Sequence, residues 1–553
     1  MKIEHIKIHN FRSIKDVDFE LNNYNLLIGE NNSGKSTVLT AIRTFYEDDG
    51  LKYSSGRDFP KFTTTDNESW IEIEYSLTND ENENLKDEYK LPNNRLKVRR
   101  YFQSDDKELV NSQNSNIFGY ENGELSKNNF YGAKNISQTK LGRLIFIPEI
   151  SRSSDTLKLS GPSPLRDITN FVFSRIVKTS PSYSALNTAF ESFNKEFDEE
   201  SKKVDFSLNN LKKDINSELD SWEIAFGLRV NSIKPEDIVK NLLSHYIVDK
   251  NLGEKEVSID SLGQGVQRHI IYTLIKLSAK YIDIKEPKKK EFSPELNLLL
   301  FEEPEAFLHP TQQENLNLSL KKLSSSTQII LTSHSPVFVS RNTQDLKSLI
   351  KLNKSAAISS LNYLSSDKID ELFNENLGLL KYLEGEEVDK SAKLYEESFK
   401  YFLWLDSERS AAFFSKQVII CEGATEKAFL DLMLNTEWTD LKDKQIYFLD
   451  CLGKFNIHRF MNIFGALGIK HSVLFDSDEN KGKHAKINEF INSNKNIFTH
   501  QIKMFDDDLE SYLEVEKADR PDLKPLNLIL KYESGKISSE KLNELKELII
   551  SLV

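Results

Sequence analysis

Two sets of residues in this chain have the types and spacing for phosphate chemistry. The first is the run Gly29-Glu30-Asn31-Asn32-Ser33-Gly34-Lys35-Ser36-Thr37. Glycines at its two ends let backbone N–H groups wrap a phosphate, and a helix starting near Lys35 adds the positive end of its dipole. Lys35 would reach the β- and γ-phosphates of a nucleotide, and the Ser36 hydroxyl would ligate Mg²⁺. The second set is dispersed: Glu422 and Glu426 after one apolar run, Asp476 and Asp478 after a later one. Carboxylates at i and i+2 of extended backbone point the same way. An oxygen-only set suits a hard cation, Mg²⁺ or Mn²⁺, and a pair of such ions suits phosphodiester cleavage.

A phosphate loop needs a strand before it and a helix behind it. Asn25-Leu26-Leu27-Ile28 reads as the buried strand and residues 36–46 as the helix. Upstream, Ile3, Ile6 and Ile8, then Val17, Phe19 and Leu21, predict two strands about a turn at Asn10-Phe11-Arg12. Further alternation from Trp70 to Phe102 predicts a strand-rich first lobe. Leu298-Leu299-Leu300-Phe301 predicts another buried strand, ending in Glu302-Glu303-Pro304-Glu305. Strand ends of this kind are where α/β sheets bind ligands. Glu302 would hold the water shell of Mg²⁺, and Glu303 would polarise an attacking water. Gln328 to Thr332 predicts one more buried strand, running into Ser333-His334-Ser335, with His334 in reach of a γ-phosphate.

The whole chain reads as α/β. A first lobe at 1–165 leads into a helical, polar insertion at 166–255; strand–helix alternation resumes at 256–345. Residues 346–415 are mixed and read as a linker. Residues 416–525 alternate again, which predicts a second, parallel sheet. The remainder, 526–553, reads as helices, with Leu542, Leu545, Ile549 and Leu552 on one stripe. Charged residues make up 29% and apolar residues 38% of the 553, which excludes a disordered chain. No apolar run is long enough for a membrane helix, and the first residues lack the apolar core of a secretory signal. Two cysteines, Cys421 and Cys451, exclude a disulfide framework or a cysteine-rich zinc site and point to a reducing, cytoplasmic setting. The net charge of −13 argues against a nonspecific nucleic-acid coat. Basic runs at 97–100 and 288–290 are the local candidates for a DNA-facing patch, with solvated surface as the plainer reading.

Just before the carboxylate strand, Ser261-Leu262-Gly263-Gln264-Gly265-Val266-Gln267-Arg268 resembles the signature motif of ATP-binding-cassette ATPases of the SMC and RecF type. That resemblance implies an ABC-type ATPase head, a mixed sheet with helices. It also implies that Ser261, Gly263, Gln264 and Gly265 cap the nucleotide of a facing copy, hence a homodimer or higher homo-oligomer. The chain departs from the pattern at Glu302, where those ATPases carry Asp, and the glutamine-bearing loop is not identifiable. Slow, regulatory hydrolysis fits this as well as a motor does.

Glu422, Glu426, Asp476 and Asp478, in that order on matching strand ends, resemble the Rossmann-like Toprim domain of primases, topoisomerases and certain nucleases. The order ABC ATPase, linker, Toprim resembles the OLD (overcoming lysogenization defect) family, which includes the nuclease subunits of Gabija-type antiphage systems. Gly453-Lys454, Leu509-Glu510 and Lys524-Pro525 match further positions of that pattern. The likeness implies that Glu422 and Asp476 are catalytic, that Glu510 completes the metal ligation and that Lys524 stabilises the pentavalent transition state. It also implies dimerisation through 166–255, and a genomic partner such as a helicase-like protein or a reverse transcriptase with its DNA product. By residue type alone, 506–510 also fits a solvated acidic turn and Lys524 a surface lysine.

The function expected is a nucleotide-regulated, divalent-metal-dependent DNA endonuclease or nickase that binds and hydrolyses ATP and acts against phage. A second reading is a DNA-binding ATPase clamp whose acidic domain scaffolds a partner. A topoisomerase or primase is disfavoured, because this ATPase is the wrong companion domain for either.

Overall fold

A computed structural model of the chain describes residues 1–121, 123–139, 141–149, 297–306, 308–339, 346–384, 405–478 and 483–553, with shorter pieces within 181–292 and 396–400. The chain divides into two compact units, Met1–Glu149 with Lys288–Val553, and Ile150–Pro287.

The period-two apolar residues at the start form β1 (Lys2–Phe11) and β2 (Ile14–Glu20), joined where Asn10 and Arg12 take positive φ. Ile3, Ile6, Ile8 and Phe19 are wholly buried. The chain continues through β3 (Tyr24–Ile28), β4 (Ser69–Ser76), β5 (Arg95–Gln103), β6 (Ile117–Glu121), β7 (Glu124–Asn129) and β8 (Arg143–Ile147). In the second unit, β9 (Ile247–Asp249) and β10 (Lys255–Val257) pair antiparallel, and Leu208–Leu219 is helical. The insertion predicted to be helical therefore ends in a strand pair, and most of it lies outside the described residues. Then come β11 (Asn297–Glu302), β12 (Gln328–Thr332), β13 (Leu349–Ser355) and β14 (Ile358–Tyr363).

One sheet holds twelve of these strands in the order β7-β6-β5-β4-β1-β2-β14-β13-β3-β12-β11-β8. Its first six are antiparallel neighbours, whereas β13, β3, β12, β11 and β8 run parallel. Parallel strands end at a common edge, so the loop after β3, Glu302 at the end of β11 and the turn after β12 are brought together. The helix Lys35–Tyr46 buries Val38, Leu39, Ile42 and Phe45, one stripe at helical spacing, in the same core as Ile6 and Ile73. At about 1.5–3 kcal/mol for each large side chain fully buried, that stripe anchors the phosphate loop from behind.

Part of the stretch predicted as a linker, 346–415, belongs to the large sheet. Its residues 349–363 supply two strands of the large sheet, with β13 against β3. The signal was missed because Lys351 interrupts the apolar run, although it is itself buried. The helix Ser366–Glu384 that follows packs on the next domain: Asn376 O accepts from His458 Nε2 at 3.3 Å.

The second sheet is all parallel, in the order β16-β15-β17-β18: β15 (Gln417–Cys421), β16 (Ile446–Asp450), β17 (His471–Asp476) and β18 (Thr499–Phe505). The final helices, Lys524–Glu533 and Ser539–Ser551, pack into the same domain. Leu528, Leu545, Ile549 and Leu552 join Phe429, Leu430 and Phe448 in this domain's core. The carbonyl of Leu552 accepts from Gln417 Nε2 at 3.2 Å and Ser472 Oγ at 2.5 Å. Among the described residues no helix is long and apolar enough to cross a membrane.

Candidate functional site

The phosphate loop is shaped by close backbone approach. Gly34 has φ +110°, and a Cβ there would stand 2.6 Å from Ser359 Oγ; at Gly29 it would stand 2.4 Å from Leu352 O. Neither position admits a side chain without displacing its neighbour. Asn31, Asn32 and Ser36 are exposed, Thr37 is half-buried, and the buried Ser33 hydroxyl has no partner. The ammonium of Lys35 donates to the carbonyls of Gly29 and Glu30, both at 2.9 Å. Burial brings Lys35 down to about 8, against the pull of Glu303, Glu305 and Glu30. A phosphate entering the loop exchanges those carbonyl bonds for stronger, charge-assisted ones.

Glu302 closes β11 opposite Thr332 in register. Glu303 follows in a left-handed conformation (φ +43°), and its N–H donates to Thr332 O at 3.1 Å. Its carboxyl is pushed up by burial and by Glu149 and Glu305, and Oε1 lies 3.4 Å from His334 Nε2. Burial, with Lys35 nearby, lowers His334 to about 4, so its imidazole is neutral at physiological pH. Glu305, which carried no role in the sequence reading, sets this arrangement. Its Oε1 accepts from Ser333 Oγ at 2.8 Å, His334 N at 2.6 Å and Ser335 N at 3.2 Å. The Glu at i+3 after a strand-end Glu pair was the only signal for it.

Ser261, Leu262 and Gly263 belong to the other compact unit, where Gly263 O accepts from Val266 N at 2.9 Å. Gln264 and Gly265 lie outside the described residues. The basic run at 97–100 is not a free patch: Lys97 and Arg99 both pair with Glu72, and the buried Arg100 pairs with Glu47. The run at 288–290 lies outside the described residues.

The acidic set forms at the C-terminal edge of the second sheet. Glu422 directly follows β15, and Glu426 sits in the first turn of the helix Ala424–Thr436, accepting from Gly423 N at 3.0 Å. Asp476 ends β17, and its N–H donates to Glu422 Oε2 at 3.3 Å. Its own Oδ1 is buried with no hydrogen-bond partner. Burial, then Glu426, Glu422, Asp508 and Asp478, push Asp476 up to about 8; burial and Glu422 push Glu426 up to about 7. Asp478 has φ +47°, and its Oδ2 lies 3.3 Å from the buried Lys454 Nζ, which also donates to Ser477 O at 3.2 Å.

From the acidic stretch 506–510, the charge that bears on Asp476 is Asp508. It caps the short helix Leu509–Tyr512, accepting from Ser511 N at 2.9 Å. Against burial, Ser511, Lys517 and Lys524 bring it to about 2. Glu510 is almost wholly buried and accepts from Ala518 N and Asn527 Nδ2, both at 3.0 Å. Lys524 is no ordinary surface lysine, since it lies within ion-pair distance of both Asp508 and Glu510. The sequence signal for Asp508 is an Asp placed to cap the helical turn that follows, within a run that by residue type also fits a solvated acidic turn.

Among the described residues, no group of three acidic, histidine or cysteine side chains converges tightly enough to enclose a cation. The donors nevertheless fit one in kind. They are oxygen only, the Asp476 Oδ1 and Glu510 Oε2 oxygens are buried without a hydrogen-bond partner, and Asp476 and Glu426 are pushed upward by burial and by neighbouring carboxylates. A divalent cation relieves the last two conditions.

Residues 24–340, more than half of the chain, match the family described as "AAA domain, putative AbiEii toxin, Type IV TA system". The chain belongs to this AAA-domain family. Residues 413–478 match the Toprim domain of overcoming-lysogenization-defect-like proteins, a span that holds Glu422, Glu426, Asp476 and Asp478 and stops short of Asp508 and Lys524. The AAA–Toprim chain is 24% identical to a protein named Old nuclease of Escherichia phage P2, over 86% of this chain and 77% of that one. It is also 24% identical to Endonuclease GajA of Bacillus cereus strain VD045, over 87% of this chain and 76% of that one. A solved SMC head domain from Thermotoga maritima aligns with 66% of the chain at 12% identity and a TM-score of 0.30, which adds nothing to the sheet order above.

Proposed function

We propose that the chain is a nucleotide-regulated, divalent-metal-dependent DNA endonuclease, cutting at the Toprim carboxylates and controlled by ATP bound at the phosphate loop. The observation that carries this is Asp476. Its unpartnered, buried oxygen sits among Glu422, Glu426, Asp478 and Asp508 at the mouth of a parallel sheet. A divalent cation, Mg²⁺ or Mn²⁺, when bound there supplies the Lewis acid that activates water and stabilises the leaving oxygen. Glu422, Glu426, Asp476 and Asp478 would hold it. Glu422 is oriented in part by the Asp476 N–H. Lys524, held by Asp508 and Glu510, offers the positive charge that the pentavalent phosphorus needs, and Lys454 holds the Asp478 turn in place.

At the other site Lys35 and Ser36 would bind the nucleotide with Mg²⁺, while Glu302 holds the ion's water shell. Glu303 would orient the attacking water, with neutral His334 beside it. Assembly as a homo-oligomer, with Ser261, Gly263, Gln264 and Gly265 capping a facing nucleotide, belongs to the same reading. So does a cytoplasmic role in defence against phage alongside a helicase-like or reverse-transcriptase partner.

The test is cleavage of plasmid DNA by the full chain. With Mg²⁺ or Mn²⁺ the plasmid should be nicked or cut, and with EDTA it should stay intact. Asp476→Ala should abolish cutting and leave ATP binding intact; undiminished cutting by that variant removes the nuclease assignment. Lys35→Ala should remove ATP binding, and retained binding and regulation remove the nucleotide assignment. The clamp reading predicts DNA binding without cleavage in the wild type.

A further inference from the structure

β13 touches the phosphate loop on one side and the Toprim domain on the other. It runs parallel to β3 with Lys351 opposite Ile28, the residue before the phosphate loop. The carbonyl of the next residue, Leu352, closes on Gly29. Successive strand residues face opposite sides of a sheet. Ile350 and Leu352 accordingly enter the core beneath the phosphate-loop helix, while Lys351 and Asn353 face the Toprim domain. Lys351 is 1% exposed, and its ammonium donates to Phe413 O at 2.7 Å. Asn353 Nδ2 donates to Gly468 O at 3.1 Å. Gly468 has φ +67°, and a Cβ there would meet Asn362 Oδ1 at 2.6 Å and Asn353 Nδ2 at 3.0 Å, so the contact demands glycine. Phe413 leads into β15 and Gly468 into β17, the two central strands of the Toprim sheet. Their far ends carry Glu422 and Asp476.

We propose that β13 is the strut through which nucleotide at the phosphate loop sets the geometry of the Toprim carboxylates, with Lys351 and Asn353 as its two couplings. The proposal rests on the reading of the two sites given above. A phosphate that draws Lys35 off the Gly29 and Glu30 carbonyls frees the loop backbone that abuts Leu352 O. A displacement of β13 is then transmitted rather than absorbed. Slipping Lys351 away from Phe413 O leaves a buried cation unpaired, which is disfavoured over moving both together.

The test compares the full-length wild type with Lys351→Met and Lys351→Arg. Cleavage is measured with and without ATP, and nucleotide affinity with and without a short DNA duplex in Ca²⁺. Binding linkage is reciprocal, so nucleotide must shift DNA affinity and DNA must shift nucleotide affinity by the same factor. For Lys351→Met, nucleotide-free cleavage and nucleotide affinity should stay within about threefold of the wild type, while both coupling factors fall to about one. Lys351→Arg, which keeps a donor for Phe413 O, should recover part of the response. A folded Lys351→Met with undiminished coupling overturns the strut. Should that variant fail to melt cooperatively, Asn353→Ala carries the same comparison, and full coupling there overturns the proposal equally. A wild type that cuts DNA but ignores nucleotide overturns the strut and the regulatory reading together, leaving the nuclease assignment standing.

Discussion

Lys524 Nζ stands 3.6 Å from Asp508 Oδ2 and 3.5 Å from Glu510 Oε2. One ammonium thus serves the cap and a first-turn carboxylate of one short helix, and Asp476 adds to the field that raises its pKa. The charge is held by anchors rather than left on a free side chain, which is the preorganisation that transition-state stabilisation requires.

From that arrangement an order of effects follows. Lys524→Ala should lower the plasmid cleavage rate by about 10²–10³-fold, the usual cost of losing one preorganised donor. Asp508→Asn should cost less, because Glu510 still holds the ammonium. ATP binding should be unchanged in both. A Lys524→Ala variant that cuts as fast as the wild type would remove Lys524 from the site.

Glu305 makes a prediction at the other site. Three donors converge on its Oε1, and hydrogen bonds to a charged acceptor contribute about 1.5–3 kcal/mol each. Glu305→Ala should loosen the turn that carries His334 and slow ATP hydrolysis by about tenfold, roughly 1.4 kcal/mol in the barrier, with binding little altered. Glu305→Gln keeps an acceptor oxygen and should recover part of the rate. Steady-state phosphate release decides it, and wild-type turnover by the Ala variant would deny Glu305 a positioning role.

Stability of the Toprim half should depend on a buried ion pair. Arg459 donates to Glu397 through Nε and Nη2, both at 2.7 Å, and both residues are almost wholly buried. Glu397→Leu removes the carboxylate that neutralises the buried guanidinium, which still donates to Phe455 O, and should cost about 3–5 kcal/mol in urea unfolding. Adding Arg459→Met should recover most of that loss. A single variant with unchanged stability would contradict the pairing.

Acid should destabilise the same domain through His471. Nδ1 faces Ile469 O at 2.9 Å and Nε2 faces Thr499 Oγ1 at 2.8 Å, contacts that suit the neutral ring donating from Nδ1 and accepting at Nε2. Burial lowers its pKa to about 4. The folded state therefore resists a proton that the unfolded chain accepts below about 6.5. The stabilisation is complete above pH 6.5 and is lost as pH falls toward 4, reaching about 3 kcal/mol across that window. His458, lowered to about 3, acts in the same sense. Melting temperatures from pH 7.5 to 5 should drop more steeply for the wild type than for His471→Gln. Parallel slopes would refute the assignment.

Much of both sites was legible because their chemistry is local. A phosphate loop is one turn between a strand and a helix, and Glu422-Gly-Ala-Thr-Glu426 is another, so spacing alone places those groups on one edge. Lys351 and Asp508 were not legible. Lys351 looks like a break in an apolar run, and only the pairing of β13 with β3 shows it buried beneath a carbonyl of another domain. Asp508 looks like one acid among several, until its cap to Ser511 and its lysine partners single it out.

The sequence by itself determined the two chemistries and the strands that present them, because periodicity and glycine spacing act over a few residues. Tertiary structure decided what joins them. It placed residues 349–363 of the predicted linker as two strands of the ATPase sheet and drew the C-terminal helices into the Toprim core. It also set Lys351 and Asn353 against Phe413 and Gly468. Those relations depend on contacts between residues dozens to hundreds of positions apart. The free energy of such contacts comes from shared burial and paired charge, which no local pattern encodes.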